Sequence, residues 1–427
     1  MNKHSLRERK KLTVFLSLTA GILCLAMLAI AQEGAAVYQS PVASLVKLGF
    51  KFEGAKTCAA AECHGGTQEK PGKGLDSYTK WSGKDPHNKS FETLGNDASK
   101  KIAAGLNIPD ATASDRCLGC HSVNAPANLQ GAKFSLAEGN SCNSCHGPSE
   151  KWREPHAKEG WTNAQRKELG THEALLTKWG LYDTKPLVYR AERCTSCHLA
   201  IEPDMIKAGH PQPIFELDYF SNPQVYEDRH WRDPDEKYFG AKQWAAGQVV
   251  STRDAMKQLA TRASGTADNE AIKSAYDQAM GHLTVFKDLL VASGIAAGDV
   301  AAQGENLKKA MAAMDKTQIA AAAKAISDAA AKSVDAVASY QPDKASAVKI
   351  MDAIATEAMA KDFGLHGVEQ QAYGIYSLYN AYAKAESPGD AQAVNDTIAK
   401  LFDSLDKKAV SPDYDKTLAD VTAKLPK

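Results

Sequence analysis

Eight of the nine cysteines fall into four pairs, and a histidine directly follows the second member of each. The pairs read Cys58-AAAE-Cys63-His64, Cys117-LG-Cys120-His121, Cys142-NS-Cys145-His146 and Cys194-TS-Cys197-His198. With 12 histidines in 427 residues, four such coincidences amount to about one in a million on composition. Tetrahedral zinc uses paired cysteines but needs no histidine after each pair, and a structural disulfide needs it even less. Covalent haem does need it: two thiols add to the two vinyl groups on one porphyrin edge, and the adjacent imidazole ligates the iron. The pattern therefore points to four covalently bound c-type haems. The first site has four residues between its cysteines where the others have two. The Cys-His step sets the imidazole's reach, so a longer loop that bulges outward still serves; a reduced or disulfide-bonded cysteine pair beside a structural histidine is the alternative.

A second imidazole on the far side of an iron makes an electron-transfer centre, whereas an open position lets a small molecule bind. Outside the N-terminal segment, His87, His156, His172, His210, His230, His282 and His366 remain to supply it. An isolated histidine is ordinarily a surface or satisfied core residue. By that rule His282 and His366 read as structural, and His172 as a histidine in the polar first turn of a helix.

The elements that position these residues differ between the two halves. The four sites fall between about residues 52 and 200, leaving each haem too little chain for an ordinary apolar core. The segments between them are rich in Gly, Pro, Asn and Lys, with only short helical runs such as 91–106. Haems wrapped by loops and short helices would form the core of this part, residues 32–239. From residue 240 to 427 cysteine is absent and apolar residues recur at helical spacing. Ile272, Tyr276, Ala279, Leu283, Phe286 and Leu290 make one stripe, and Ile319, Ile326, Ala330 and Val337 another. Stops at Ser293-Gly294, Gln341-Pro342 and Ser387-Pro388-Gly389 predict about six to eight helices in a bundle. Tyr373, Tyr376, Tyr379 and Tyr382 recur every third residue, as a packed helix face with hydroxyls at its rim or as an aromatic relay. The fold class is mainly α: a haem-packed domain followed by a helical bundle.

Residues 1–31 read as a secretory signal, with a basic head (Lys3, Arg7, Arg9, Lys10, Lys11), an apolar run and a small-x-small end at Ala29-Ile30-Ala31. The run also has the length of a membrane anchor, should it stay uncleaved. Cys24 leaves with the signal. Cleavage after Ala31 removes five basic residues and Glu8, so a net charge of zero becomes −4, and no basic face suggests nucleic acid.

The stretches CNSCHGPSEKWREPHAKEG, YRAERCTSCHLA and WSGKDPHNKSFETL resemble the tetrahaem cytochrome c family of ammonia oxidisers, the electron acceptors of hydroxylamine oxidoreductase. The likeness covers roughly residues 52–235. It implies that His87 is the distal ligand opposite His198, and that His156 is the distal ligand opposite His64. For the haem of His146 it implies a distal histidine from further down the chain, for which AGHPQPIFELDYF and DRHWRD offer His210 and His230. The haem of His121 is five-coordinate in the family's best-known member, so its far side is open or closed here according to whether one or both of those histidines ligate. The wide first site and the long C-terminal half depart from the family.

The expected function is single-electron transfer between periplasmic donor and acceptor proteins through mostly bis-histidine haems, with the eight motif cysteines as attachment points. The first alternative is a redox enzyme using an open haem on a small nitrogen or oxygen species. The second is a wiring subunit of a filament or respiratory complex, self-associating or docking through its helical half. No nucleophile–base pair, Gly-rich phosphate loop or carboxylate pair stands at usable spacing.

Overall fold

Helices and 3-10 turns carry the chain, and among the described residues the one β feature is an isolated bridge between Phe52 and Gln130. The computed structural model describes residues 41–67, 75–221, 234–296 and 298–427. The expected signal segment with Cys24, and the candidate ligand His230, lie outside the described residues. Among those residues no helix is long and apolar enough to cross a membrane.

In the cysteine-bearing half the helices are short. Three Cys-His steps end helices, Asp115–His121, Cys142–His146 and Leu187–His198. Their i→i−4 register joins each histidine N–H to the C=O of the first cysteine four residues earlier. The first site reaches the same closure another way. Cys58 ends the 3-10 turn Ala55–Cys58, and the His64 N–H bonds Cys58 C=O at 3.1 Å across the longer loop. Ala60, Ala61 and Glu62 are exposed, so the extra residues bulge into solvent. Apolar clusters here are small: Val42, Leu45, Phe52, Val123 and Ala125 form one, Leu94, Ala103, Ala111 and Leu118 another.

The second half is conventional. The stripes bury as their periodicity requires: Ile272, Leu283, Phe286, Ile319, Ile326 and Val337 are each at most 1 % exposed. Each such side chain contributes about 1.5–3 kcal/mol by leaving water. The expected stops end the helices Asn269–Ser293, Lys316–Ala338 and Met359–Glu386. Further breaks, after Ser264, Ala312 and Thr356, carry no proline. Two are set by aspartates whose side chains accept the Ala271 and Gln318 N–H groups, Asp268 (2.9 Å) and Asp315 (3.1 Å). Asp343 forms a reciprocal capping box with Ser346 at the start of Lys344–Thr356. Replacing Asp343 with alanine is expected to lower unfolding free energy by about 1 kcal/mol, measured by denaturant titration, with the visible spectrum unchanged.

Tyr373 and Tyr379 are buried, while Tyr376 and Tyr382 are partly so. Tyr373 and Tyr376 pack on Tyr219 at 4.5 and 5.2 Å, the contacts of a packed helix face.

The helix bearing the fourth motif, Leu187–His198, lies against Phe239–Ser264. Thr195 Oγ1 donates to Asp254 (2.6 Å), and Arg253 pairs with Glu192 (2.6 Å). Arg262, 2 % exposed, donates to the carbonyls of Ile201 and Ala271 and to Gln212 Oε1. One buried cation thus ties the loop after the fourth motif to two long helices.

Candidate functional site

An imidazole nitrogen sits about 2.0–2.1 Å from a metal, with its ring centroid about 1.1 Å further, so two imidazoles trans on one metal have centroids about 6.3 Å apart. Three histidine pairs show this spacing. His64 and His156 stand 6.0 Å apart, His87 and His198 6.3 Å, and His121 and His210 6.3 Å. In each, one partner belongs to a Cys-His motif and the other comes from a distant loop. Too far apart to bond each other, the rings are spaced as if about a common ion.

Hydrogen bonds behind the rings set which nitrogen is presented. His121 Nδ1 donates to Ser90 C=O (2.9 Å), His198 Nδ1 to Ile214 C=O (3.1 Å) and His210 Nδ1 to Pro211 C=O (2.8 Å). His156 Nδ1 donates to Arg153 C=O. A carbonyl can only accept, so these imidazoles carry their proton on Nδ1 and offer the Nε2 lone pair, the arrangement of metal-ligating histidines. His87 Nδ1 lies 2.9 Å from Asp85 Oδ1, and Asp85 is 3 % exposed. Burial pushes His121 and His156 below the usual imidazole range and His146 down to about 4. All three stay neutral at neutral pH, as ligands must be.

Local sequence builds these positions. Asp85 accepts the His87 N–H (2.9 Å) at the start of the turn Pro86–Lys89. Ser90 Oγ shares its one proton between the carbonyls of His87 (2.7 Å) and His121 (3.0 Å), so one turn links two histidines. Gly139 is required beside it: at φ +62°, a Cβ there would lie 2.6 Å from His87 O. Gly147, trailing the third motif at φ +78°, would put a Cβ 2.4 Å from Gly180 O. Glu138, almost fully buried, accepts the Ala55 N–H (2.8 Å), and Asn143 Oδ1 accepts that of Gly54 (3.1 Å). Those two bonds hold the first motif on the third.

The thiols show how the motifs neighbour one another. Cys58 hydrogen-bonds Cys142, and Cys120 hydrogen-bonds Cys197. Arg193 joins the third and fourth motifs through Ser144 C=O. In space the order is therefore first, third, fourth, second. Burial pushes Cys145 up to about 11 and Cys194 to about 12, while the contacts with Cys142 and Cys120 draw Cys58 and Cys197 down to about 6. Among the described residues no three His, Cys, Asp or Glu side chains converge as a metal cluster. The eight described cysteines are not in disulfides. Thiol pairs beside imidazoles that present Nε2 across a 6 Å gap fit covalent haem and do not fit zinc.

Not every candidate joins a pair. His210 faces His121 and not His146, so it stands over the second motif where the resemblance offered it to the third. Beside His146 is the Trp152 indole, at 6.4 Å; among the described residues no histidine faces it at the paired spacing. His172 opens the helix His172–Trp179 and packs on Tyr189 (3.8 Å) and Tyr182 (4.5 Å). His282 is buried with Nδ1 3.0 Å from Gln248 Oε1, and His366 Nδ1 lies 3.3 Å from Glu369 Oε2.

The helical half contributes a grip that motif reading missed. Gln278 Nε2 donates to Pro213 C=O (3.0 Å), Gln370 Nε2 to Phe215 C=O (3.3 Å), and Glu369 Oε1 accepts the Phe215 N–H (3.4 Å). The gripped segment holds the carbonyls that orient His198 and His210. Buried glutamines on otherwise apolar helix faces were the available signal, but nothing local says what they hold.

Residues 57–147 match the family model for cytochrome c554 and c-prime. The match spans the first three motifs and His87, and it supports a c-type cytochrome that transfers electrons through covalently bound haem. Comparison with curated proteins and with solved structures returned no match.

Proposed function

We propose that the chain is an exported tetrahaem c-type cytochrome that passes single electrons between periplasmic partner proteins. The observation that carries this reading is the set of three histidine pairs at 6.0–6.3 Å, each beside a cysteine pair. Bound haem supplies the one-electron chemistry. His64 with His156, His121 with His210, and His87 with His198 would hold three of the irons from both sides, and His146 the fourth from its proximal side. Nδ1 hydrogen bonds pre-orient the rings, so little rearrangement accompanies a change of charge. The thiol contacts support an electron route first–third–fourth–second. His210 opposite His121 favours a carrier over an enzyme working at the second haem.

Pyridine haemochrome analysis should return four haems per chain. Carbon monoxide added to the reduced protein should shift the Soret band of one haem at most, the one at His146. Three haems would leave the wide first motif empty. Carbon monoxide on two or more would overturn the pairings.

A further inference from the structure

We infer that the helical half carries a redox-linked proton site, the buried pair Glu369–His366, which acts on the centre held by His87 and His198. The inference rests on the proposed haem assignment and adds a function to the half without cysteines.

The geometry is a relay through one peptide group. His198 Nδ1 donates to Ile214 C=O at 3.1 Å. The N–H of that same peptide, on Phe215, donates to Glu369 Oε1 at 3.4 Å. A carboxylate on the N–H polarises the peptide and makes its carbonyl a stronger acceptor. The carbonyl then draws on the His198 proton, and the imidazole becomes a more basic ligand. Glu369 is 1 % exposed, and its other oxygen lies 3.3 Å from His366 Nδ1. The His366 side chain is 19 % exposed, which connects the pair to water. Burial raises Glu369 above the usual carboxylate value.

The coupling is one electron to one proton. When a one-electron donor protein reduces the centre, its positive charge falls and the carboxylate behind His198 is less stabilised. The pair then takes one proton from water, and reoxidation returns it. Ionised Glu369 favours the oxidised centre, so its midpoint potential falls as pH rises through the pair's titration and levels off on either side.

Among the titratable groups around it, Glu369 is the one bonded to the Ile214–Phe215 peptide. On Asn269–Ser293, burial holds His282 down to about 3, so it stays neutral, and Asp277 is paired with Lys273 at 2.5 Å. Phe239–Ser264 contributes the neutral Gln248, and Asp362, one turn before His366, is exposed. Glu216, next to Phe215, is pushed up to about 7 by burial, but it accepts the Asp218 and Tyr219 N–H groups and Ser377 Oγ. None of these contacts includes the Ile214–Phe215 peptide.

The test is spectroelectrochemical titration of the full-length holoprotein from about pH 5 to pH 9. The midpoint to follow is the one raised by Asp85→Asn, which labels the His87–His198 centre. In the wild type it should fall with pH, by at most about 59 mV for each tenfold drop in proton concentration. Glu369→Gln should abolish the slope and hold the midpoint near the wild-type value at low pH. His366→Gln should displace the pH window while keeping a slope, and it decides the matter if Glu369→Gln does not fold. Glu216→Gln should leave the slope intact. A slope that survives Glu369→Gln, an unmoved window in His366→Gln, or a slope lost only in Glu216→Gln overturns the inference. Fewer than four haems, or no spectral change at any haem in His198→Met, would instead overturn the assignment beneath it.

Discussion

His210→Ala is expected to add one carbon monoxide-binding haem per chain to whatever the reduced wild type shows. Among the described residues His210 is the imidazole standing opposite His121, at 6.3 Å, and alanine cannot reach an iron. It sits on an irregular segment beyond the short helix Pro203–Lys207, where a smaller side chain disturbs no regular packing. The change should therefore be local: one haem turns from low-spin to high-spin in reduced spectra, the haem count stays at four, and the other three midpoints hardly move. The mirror experiment, His172→Ala, should leave carbon monoxide binding as it was, because that ring packs on Tyr182 and Tyr189. Unchanged carbon monoxide binding in His210→Ala would break the pairing of the second motif and reopen the reading of an enzyme with an open haem.

Asp85→Asn is expected to raise one midpoint potential by about 60–120 mV. The carboxylate lies 2.9 Å from His87 Nδ1 and is nearly sealed from water, so its charge is poorly screened. It makes the imidazole a stronger donor and favours the more positive, oxidised centre. Removing such a partner commonly changes metal binding by about 10–100-fold, and each tenfold step is about 59 mV for one electron. Asparagine keeps an acceptor oxygen for the His87 N–H and the shape of the turn, so the change is mainly one of charge. Redox titration reads it directly, and four unchanged midpoints would show that His87 is not a ligand. With Asp85 directly behind one ring and Glu369 one peptide behind the other, this centre should have the lowest potential of the four.

Much of the site was legible in sequence because it is chemically local. A Cys-His step brings thiol and imidazole to one spot whatever surrounds it, so four motifs could be counted from the chain alone. The wide first motif was tolerable for the same reason: His64 N–H still closes on Cys58 C=O while Ala60, Ala61 and Glu62 bulge outward. The helical half was equally plain, since a stripe such as Ile272–Leu290 has one face to bury. Helix ends were less plain where an aspartate cap, not proline, made the break, as at Asp268 and Asp315.

The partners across each gap were another matter. His87, His156 and His210 are single residues in loops, and no spacing rule tells them from His172. What separates them is a carbonyl or carboxylate behind Nδ1 and a motif histidine 6 Å in front, both arriving from remote chain. His210 stands opposite His121 because the segment 211–215 is gripped by Gln278, Glu369 and Gln370 more than sixty residues away. By itself, then, the sequence determined the four Cys-His motifs and the helical character of the second half, which depend on neighbours within a few residues. Only the tertiary structure decided which histidines pair, the order in which the motifs touch, and which carboxylates stand behind the paired imidazoles. Those depend on hydrogen bonds and ring contacts between segments that meet only when the chain is folded.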